Sequence, residues 1–221
     1  MEHFGIKLIK RKYSFVLKRD EFALINTKPS LPIFKNLIER NAYTDSNGNE
    51  YRMEWCEEYR ELCLKNYDLN MEYFKHLDRT GFDYAIMQFL KKYKKFQEIG
   101  NLYECDNVSG YYMMVLDEYK QVYIGKSEDM KKRIQSHWTK TKAFDRTLFP
   151  MYAVNSSCLS IDSFRALNTT RIFVWRRELV DGVEQKLIDD FPQLYRSNRI
   201  GGDITLALEA LETINKRHLV E

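Results

Sequence analysis

The chain has 221 residues, of which 44% are hydrophobic and 30% are charged, and its formal net charge at pH 7 is +3. This composition is typical of a globular protein, and no apolar run approaches the roughly 20 residues that a membrane-spanning helix needs, which excludes a membrane span. The first residues lack a positive segment followed by an apolar stretch, so the sequence predicts no secretory signal and a cytoplasmic location.

The first half of the chain predicts a short β element followed by helices. Apolar and polar residues alternate from Gly5 to Leu17, which favours one or two strands. Apolar side chains recur at helical spacing from Tyr51 to Leu62, and a second helical pattern follows a candidate N-cap at Asp83. Turn-forming residues from Gly100 to Asn107 mark the next break, so residues 1–100 are predicted to form a mostly helical N-terminal domain.

The four cysteines are Cys56, Cys63, Cys105 and Cys158. They form no C-x-x-C pair and have no neighbouring histidines, which argues against both a zinc site and a disulfide framework. Cys56 and Cys63 lie seven residues apart, on one face of a helix. We therefore expect them to be small buried side chains of the core.

A β-hairpin is predicted after residue 110. The aromatic and β-branched run Tyr111–Leu116 is typical of a buried strand, and it is followed by the polar turn Asp117–Lys120 and a second strand at Val122–Ile124. Residues 101–221 begin with this hairpin and are predicted to form the second domain.

A helix is predicted directly after the hairpin. Ser127 can accept a backbone N–H at its start. Its buried face would be the stripe of Met130, Ile134 and Trp138. Arg133 and His137 form a second stripe with the same spacing of four residues, so both could face a cleft beside the hairpin.

The rest of the chain predicts one more strand and two helices. Arg171–Arg176 has the pattern of a strand, and Val183–Phe191 that of a short helix that carries Glu184. Leucines and an isoleucine within residues 206–214 predict a final amphipathic helix. The fold class is therefore predicted as α+β, with a small three-stranded antiparallel sheet flanked by helices in the C-terminal half.

An ordered series of residues crosses these elements. It comprises Gly110 and Tyr112, then Tyr123-Ile124-Gly125, then Arg133, Glu184 and Asn198. The series resembles the GIY-YIG nuclease family, whose members include homing endonucleases, some restriction enzymes and an incision module of bacterial excision repair. The resemblance covers about residues 103–198, and His137, four residues after the arginine, is most similar to the restriction-enzyme branch. Tyr111 replaces the usual middle isoleucine, a departure of little consequence if that position only packs.

The resemblance implies a metal-dependent endonuclease that hydrolyses phosphodiester bonds in DNA. The catalytic residues would be Tyr112, Tyr123, Lys126, Arg133, His137, Glu184 and Asn198. Glu184 is the only carboxylate among them, and because two-metal nucleases need several carboxylates, it favours a single Mg²⁺, for which Mn²⁺ would substitute. Arg133 offers a planar, permanently charged fork that can bind two phosphate oxygens.

The sequence leaves the general base open. An ordinary tyrosine has a pKa of about 10, so Tyr112 or Tyr123 could accept a proton near neutrality only if Lys126, Arg133 or the metal stabilised the phenolate. A histidine titrates at about 6.5 and needs no such help. The resemblance favours a tyrosine with His137 as its assistant. Asn198 is either a hydrogen-bonding residue near the phosphate or a turn former.

Contacts with DNA are predicted at Lys140, Lys142 and Arg146, which follow the Arg133 helix directly. Other basic runs, such as Lys91–Lys95, are either phosphate contacts or solvated helix faces. A double-strand break would require a second copy of the chain or sequential nicks. Two other functions fit the sequence: a nucleic-acid-binding module that has lost cleavage, and an interaction protein whose function lies in residues 1–100.

Overall fold

The structure is a computed structural model that describes residues 1–9, 14–25, 53–139, 147–148, 154–155 and 157–198. The strands are β1 (Glu2–His3), β2 (Ile6–Lys7), β3 (Gln97–Ile99), β4 (Gly110–Leu116), β5 (Gln121–Ser127) and β6 (Arg171–Arg176). The helices are α1 (Arg19–Ile25), α2 (Met53–His76), α3 (Arg79–Lys92), α4 (Met130–Thr139) and α5 (Val183–Asp189). The described part is therefore α+β, as predicted.

The main sheet has four strands in the order β3-β6-β4-β5, and all its neighbours are antiparallel. The predicted hairpin is confirmed, because β4 pairs with β5 from Gly110 opposite Ser127 to Leu116 opposite Gln121. The predicted strand β6 pairs with the other edge of β4. Every residue of β4 is buried, since it is an inner strand with both faces covered.

The prediction of a three-stranded sheet is wrong, because β3 adds a fourth strand. Gln97 lies opposite Val174 of β6, and Ile99 lies opposite Ile172. Only Ile99 of the three β3 residues is buried, so the segment has no apolar alternation of its own. It is a strand because it completes the hydrogen bonds of β6, and such a tertiary cause leaves no local pattern.

Helices α2 and α3 make up most of residues 53–92, and the predicted domain of residues 1–100 stays a prediction. The predicted N-cap at Asp83 is wrong: α3 begins four residues earlier, and its N-cap is Asp78, whose carboxylate accepts hydrogen bonds from the backbone N–H of Thr80 and Gly81. Asp83 lies inside the helix and pairs with Arg79 at 2.9 Å.

The remaining predictions for the fold have mixed outcomes. All four cysteines are buried, as expected for core residues, and none of them forms a disulfide. Of the alternating pattern from residue 5 to 17, the structure has a strand only at Ile6–Lys7, which pairs with β1, and residues 10–13 lie outside the described residues. The helix predicted at 206–214 also lies outside them. No helix among the described residues has the length and apolarity to cross a membrane.

Helix α3 packs against the segment that follows α5. The Phe82 and Tyr195 rings meet edge to face at 5.5 Å, and so do the Phe89 and Phe191 rings at 5.5 Å. Aromatic pairs in this geometry contribute packing energy beyond their buried area. The N-terminal helices and the C-terminal sheet layer therefore share buried side chains.

Candidate active site

The hairpin places two tyrosines of the predicted site on one face of the sheet. Tyr112 lies opposite Gly125, and Tyr123 lies opposite Met114, so all four side-chain positions face α4. The two tyrosine rings are 6.1 Å apart. Tyr112 is fully buried, whereas Tyr123 is half-buried. The pair therefore has one member inside the protein and one near its surface.

Gly110 and Gly125 both lie where a neighbouring strand or side chain is too close to leave room for a Cβ. A Cβ on Gly125 would lie 2.6 Å from the Tyr112 hydroxyl oxygen, and a Cβ on Gly110 would lie 2.3 Å from the backbone oxygen of Trp175. Neither space admits a methyl group. Gly125 thus allows the Tyr112 hydroxyl to lie directly over the neighbouring strand.

Helix α4 brings the second pair of residues to the same face. Its start is fixed as predicted, because the Asp129 N–H donates to the Ser127 hydroxyl at 3.1 Å. The side chains of the predicted apolar stripe are buried: Met130, Ile134 and Trp138. Arg133 and His137 lie on the adjacent stripe and meet the two tyrosines between α4 and the hairpin.

His137 lies at the centre of a buried hydrogen-bonded chain. Its Nε2 is 2.9 Å from the Tyr112 hydroxyl, and its Nδ1 is 2.7 Å from Asp162 Oδ1. A carboxylate can only accept, so Nδ1 carries a proton, and in the neutral form of the imidazole Nε2 has the lone pair that accepts from the Tyr112 O–H. The chain Asp162–His137–Tyr112 therefore leads to a group able to accept a proton.

Sequence reasoning missed Asp162. It lies in the long connection between α4 and β6, within a 3-10 turn over Ile161–Ser163 that has no periodic pattern. One local signal existed: Asp162 is the only charged residue between Leu159 and Phe164, a stretch that is buried throughout. A lone carboxylate in such a stretch needs a buried partner, which here is His137.

Arg133 lies close enough to both tyrosine hydroxyls for its charge to act on their pKa. Burial raises the pKa of Tyr112 well above its usual value, with the charge of Arg133 opposing this rise. Burial likewise raises the pKa of Tyr123 to about 12, again against Arg133. Both side chains are therefore neutral phenols at neutral pH. The Tyr112 hydroxyl proton is directed to His137 Nε2, and the Arg133 guanidinium lies beside the same oxygen.

Glu184 lies at the edge of this cluster. Helix α5 follows Gly182, which has a left-handed backbone conformation with φ of 74°, and presents Glu184 in its first turn. The Glu184 Oε1 accepts from the Lys126 backbone N–H at 3.2 Å, and Oε2 is 3.5 Å from the Lys126 ammonium. The carboxylate is 5% exposed, and its charge contributes to the raised pKa of both Tyr112 and Tyr123.

Asn198 bonds to the outer edge of β5. Its amide Nδ2 donates to the Ile124 carbonyl at 2.8 Å, and its Oδ1 accepts from the Ile124 N–H at 3.1 Å. The side chain thus pairs with the strand as a peptide group would. This geometry gives Asn198 a positioning role for β5, next to Tyr123.

Six of the seven predicted catalytic residues therefore lie in one cluster. The seventh, Asn198, is bonded to the outer edge of β5. The predicted DNA contacts Lys140, Lys142 and Arg146 lie outside the described residues. Among the residues that the structure does describe, no three histidines, cysteines or carboxylates are grouped as they would be in a metal site made by protein ligands alone. Comparison of the chain with family models, curated proteins and solved structures finds no match.

Proposed function

We propose that this protein is a metal-dependent DNA endonuclease of the GIY-YIG type. The observation that carries the proposal is the hydrogen-bonded chain from Asp162 through His137 to Tyr112, with the charge of Arg133 beside the same tyrosine hydroxyl. A proton acceptor and a fixed positive charge thus converge on one point. Hydrolysis of a phosphodiester needs both at the reacting phosphate.

The substrate would approach from the side of Tyr123, Lys126 and Arg133. These side chains are half-buried, whereas Tyr112, His137 and Glu184 are buried behind them. Arg133 and Lys126 are cations, and a phosphodiester is an anion, so the accessible layer has the charge that a DNA backbone requires. Arg133 can bind two phosphate oxygens at once, and Lys126 acts as a point charge.

The buried layer would activate the attacking water. With Arg133 bound to the phosphate, the attacking water would lie at the Tyr112 oxygen. The water then gives a proton to the Tyr112 oxygen while Tyr112 gives its own proton to His137 Nε2. Tyr112 is a neutral phenol before and after this step, so its raised pKa is no obstacle. Asp162 stabilises the imidazolium that results.

A single Mg²⁺ fits the carboxylate that is present. Mg²⁺ keeps several waters and is often held by one or two carboxylates together with substrate phosphates. Glu184 would be its protein ligand, and the Lys126 ammonium, 3.5 Å from Oε2, would be released toward the phosphate. When bound, the ion supplies positive charge at the phosphoryl oxygens and at the departing oxygen.

The proposal is tested by incubating the purified protein with supercoiled plasmid, with Mg²⁺ or with a chelator. We expect metal-dependent nicking by the native protein and no cleavage by Glu184→Ala, which should still bind DNA. Glu178→Ala is the matched control, because Glu178 is an exposed carboxylate on the segment before α5. Cleavage by the Glu184 variant would remove Glu184 as the metal ligand. DNA binding without cleavage by the native protein would instead indicate a binding module.

A further inference from the structure

Helix α2 has a buried stripe with unusual chemistry. Asn66, Asn70 and Phe74 are four residues apart and thus share one face, and each is at most 5% exposed. Asparagine is a poor helix former, and its amide is costly to bury without partners. Two such residues on one buried face therefore indicate specific polar contacts.

Both asparagines hold the segment that leads to Asp162. Asn66 Nδ2 donates to the carbonyls of Val154 and Ser157, and Asn70 Nδ2 also donates to Ser157. Asn70 Oδ1 accepts from the Leu159 N–H at 3.2 Å. The chain is thus fixed to α2 up to a point three residues before Asp162.

The same face of α2 also holds the chain after Asp162. Phe164 packs against Phe74, with ring centroids 6.4 Å apart, and against Tyr119 at 4.9 Å. The intervening turn is closed by hydrogen bonds from Ser163 N–H to Ser160 and from Phe164 N–H to Ile161. Asp162 therefore lies in a tight turn whose two ends both rest on α2.

We propose that Asn66, Asn70 and Phe74 are positioning residues that hold Asp162 against His137. Helix α2 lies in the half of the chain that shares no motif with a nuclease, and it nevertheless sets the protonation geometry of the site. Without this support Asp162 would not fix the ring proton on Nδ1, and Nε2 would lose its acceptor role for Tyr112. The consequence for catalysis rests on the proposed function, whereas the positioning does not.

The positioning is tested on the metal-free protein by long-range proton–nitrogen NMR of the histidine rings, with the His137 signals assigned by His137→Gln. The native ring should show the Nδ1–H form. Asp162→Asn should move the proton to Nε2, because an amide can donate to Nδ1. Asn70→Leu should give a mixture of the two forms. Cys56→Ala removes a buried group of the same helix and should keep the native pattern. A cooperative urea-unfolding transition shows that each variant is folded. If Asn70→Leu does not fold, Asn70→Ser is used in its place.

The second readout is single-turnover cleavage. Asn70→Leu should lower the rate constant about tenfold or more with DNA affinity unchanged, since part of the general-base contribution is lost. A native ring pattern in the folded Asn70 variant, alongside an altered one in Asp162→Asn, would overturn the positioning role. If no protein in the series cleaves DNA but the ring patterns change as expected, the proposed function fails and the positioning stands.

Discussion

The Tyr111 hydroxyl forms two hydrogen bonds with the backbone of Val180, donating to its carbonyl at 3.0 Å and accepting from its N–H at 2.9 Å. Its ring also packs against Trp175 at 5.7 Å. Tyr111 therefore does more than pack, because its hydroxyl fixes the loop that leads into α5. The bonded residue, Val180, lies two residues before Gly182 and four before Glu184. An isoleucine at this position could not make these bonds.

Tyr111→Phe tests this role, because it keeps the ring and removes the hydroxyl. We expect a loss of about 1–2 kcal/mol in the free energy of unfolding, since the Val180 N–H and C=O lose a partner. Cleavage should slow because Glu184 is less well fixed. Urea denaturation and single-turnover cleavage measure the two effects. Tyr103→Phe removes the hydroxyl of a tyrosine that is 59% exposed and should change neither. An unaltered unfolding midpoint in Tyr111→Phe would contradict the account.

Gly125→Ala should disrupt the site from the opposite side. The added methyl would lie 2.6 Å from the Tyr112 hydroxyl oxygen and 2.9 Å from Tyr123 Cε1, so at least one tyrosine must move. We expect about 1–3 kcal/mol of destabilisation and a large loss of cleavage with DNA affinity retained. The matched control is Gly100→Ala, because a Cβ at Gly100 would meet nothing within 4 Å. Native activity in the Gly125 variant would show that the Tyr112 hydroxyl is free to shift without consequence.

Arg133→Lys keeps the charge and removes the planar fork. A lysine cannot bind two phosphate oxygens in one plane. We expect the single-turnover rate constant to fall roughly 10-fold to 100-fold, with a smaller change in DNA affinity. The matched control is Arg19→Lys, because Arg19 is exposed and pairs with Asp68, outside the site. It should leave the rate unchanged. An equal rate in the Arg133 variant would rule out bidentate contact.

The elements that the sequence predicts correctly are those with their own apolar pattern. β4 and its hairpin are visible because every residue of Gly110–Leu116 is buried and the run is aromatic or aliphatic after the glycine. α4 is predicted correctly because the turn in which Asp129 N–H donates to Ser127 comes just before its buried stripe begins. Local pattern and tertiary burial coincide in both elements.

The elements that the sequence misses depend on partners elsewhere in the chain. β3 exists because β6 completes its hydrogen bonds. The N-cap of α3 is Asp78, and the sequence does not predict it because Gly81, in the first turn, disfavours a helix. Asp162 joins the site only because α2 holds its turn from a distance of about 90 residues along the chain. Such contacts have no signature in spacing, so the sequence predicts the site's tyrosines and cations but not the carboxylate behind His137.

The raised pKa of Tyr123, about 12, predicts how stability depends on alkaline pH. The unfolded chain releases this proton at about pH 10 and the folded protein at about pH 12, so between these values the unfolded state binds fewer protons. The contribution of Tyr123 to stability is therefore complete below pH 10 and is lost as pH rises toward 12. Tyr112, whose pKa is raised in the same direction, adds to the loss.

Urea unfolding of the native protein and of Tyr123→Phe, at steps from pH 9 to pH 12, separates the contribution of Tyr123 from that of Tyr112. The variant should lose about 2 kcal/mol less over this range. Parallel curves for the two proteins would mean that Tyr123 ionises in the folded state as easily as in the unfolded chain, and that it is accessible enough to act as a phenolate base itself.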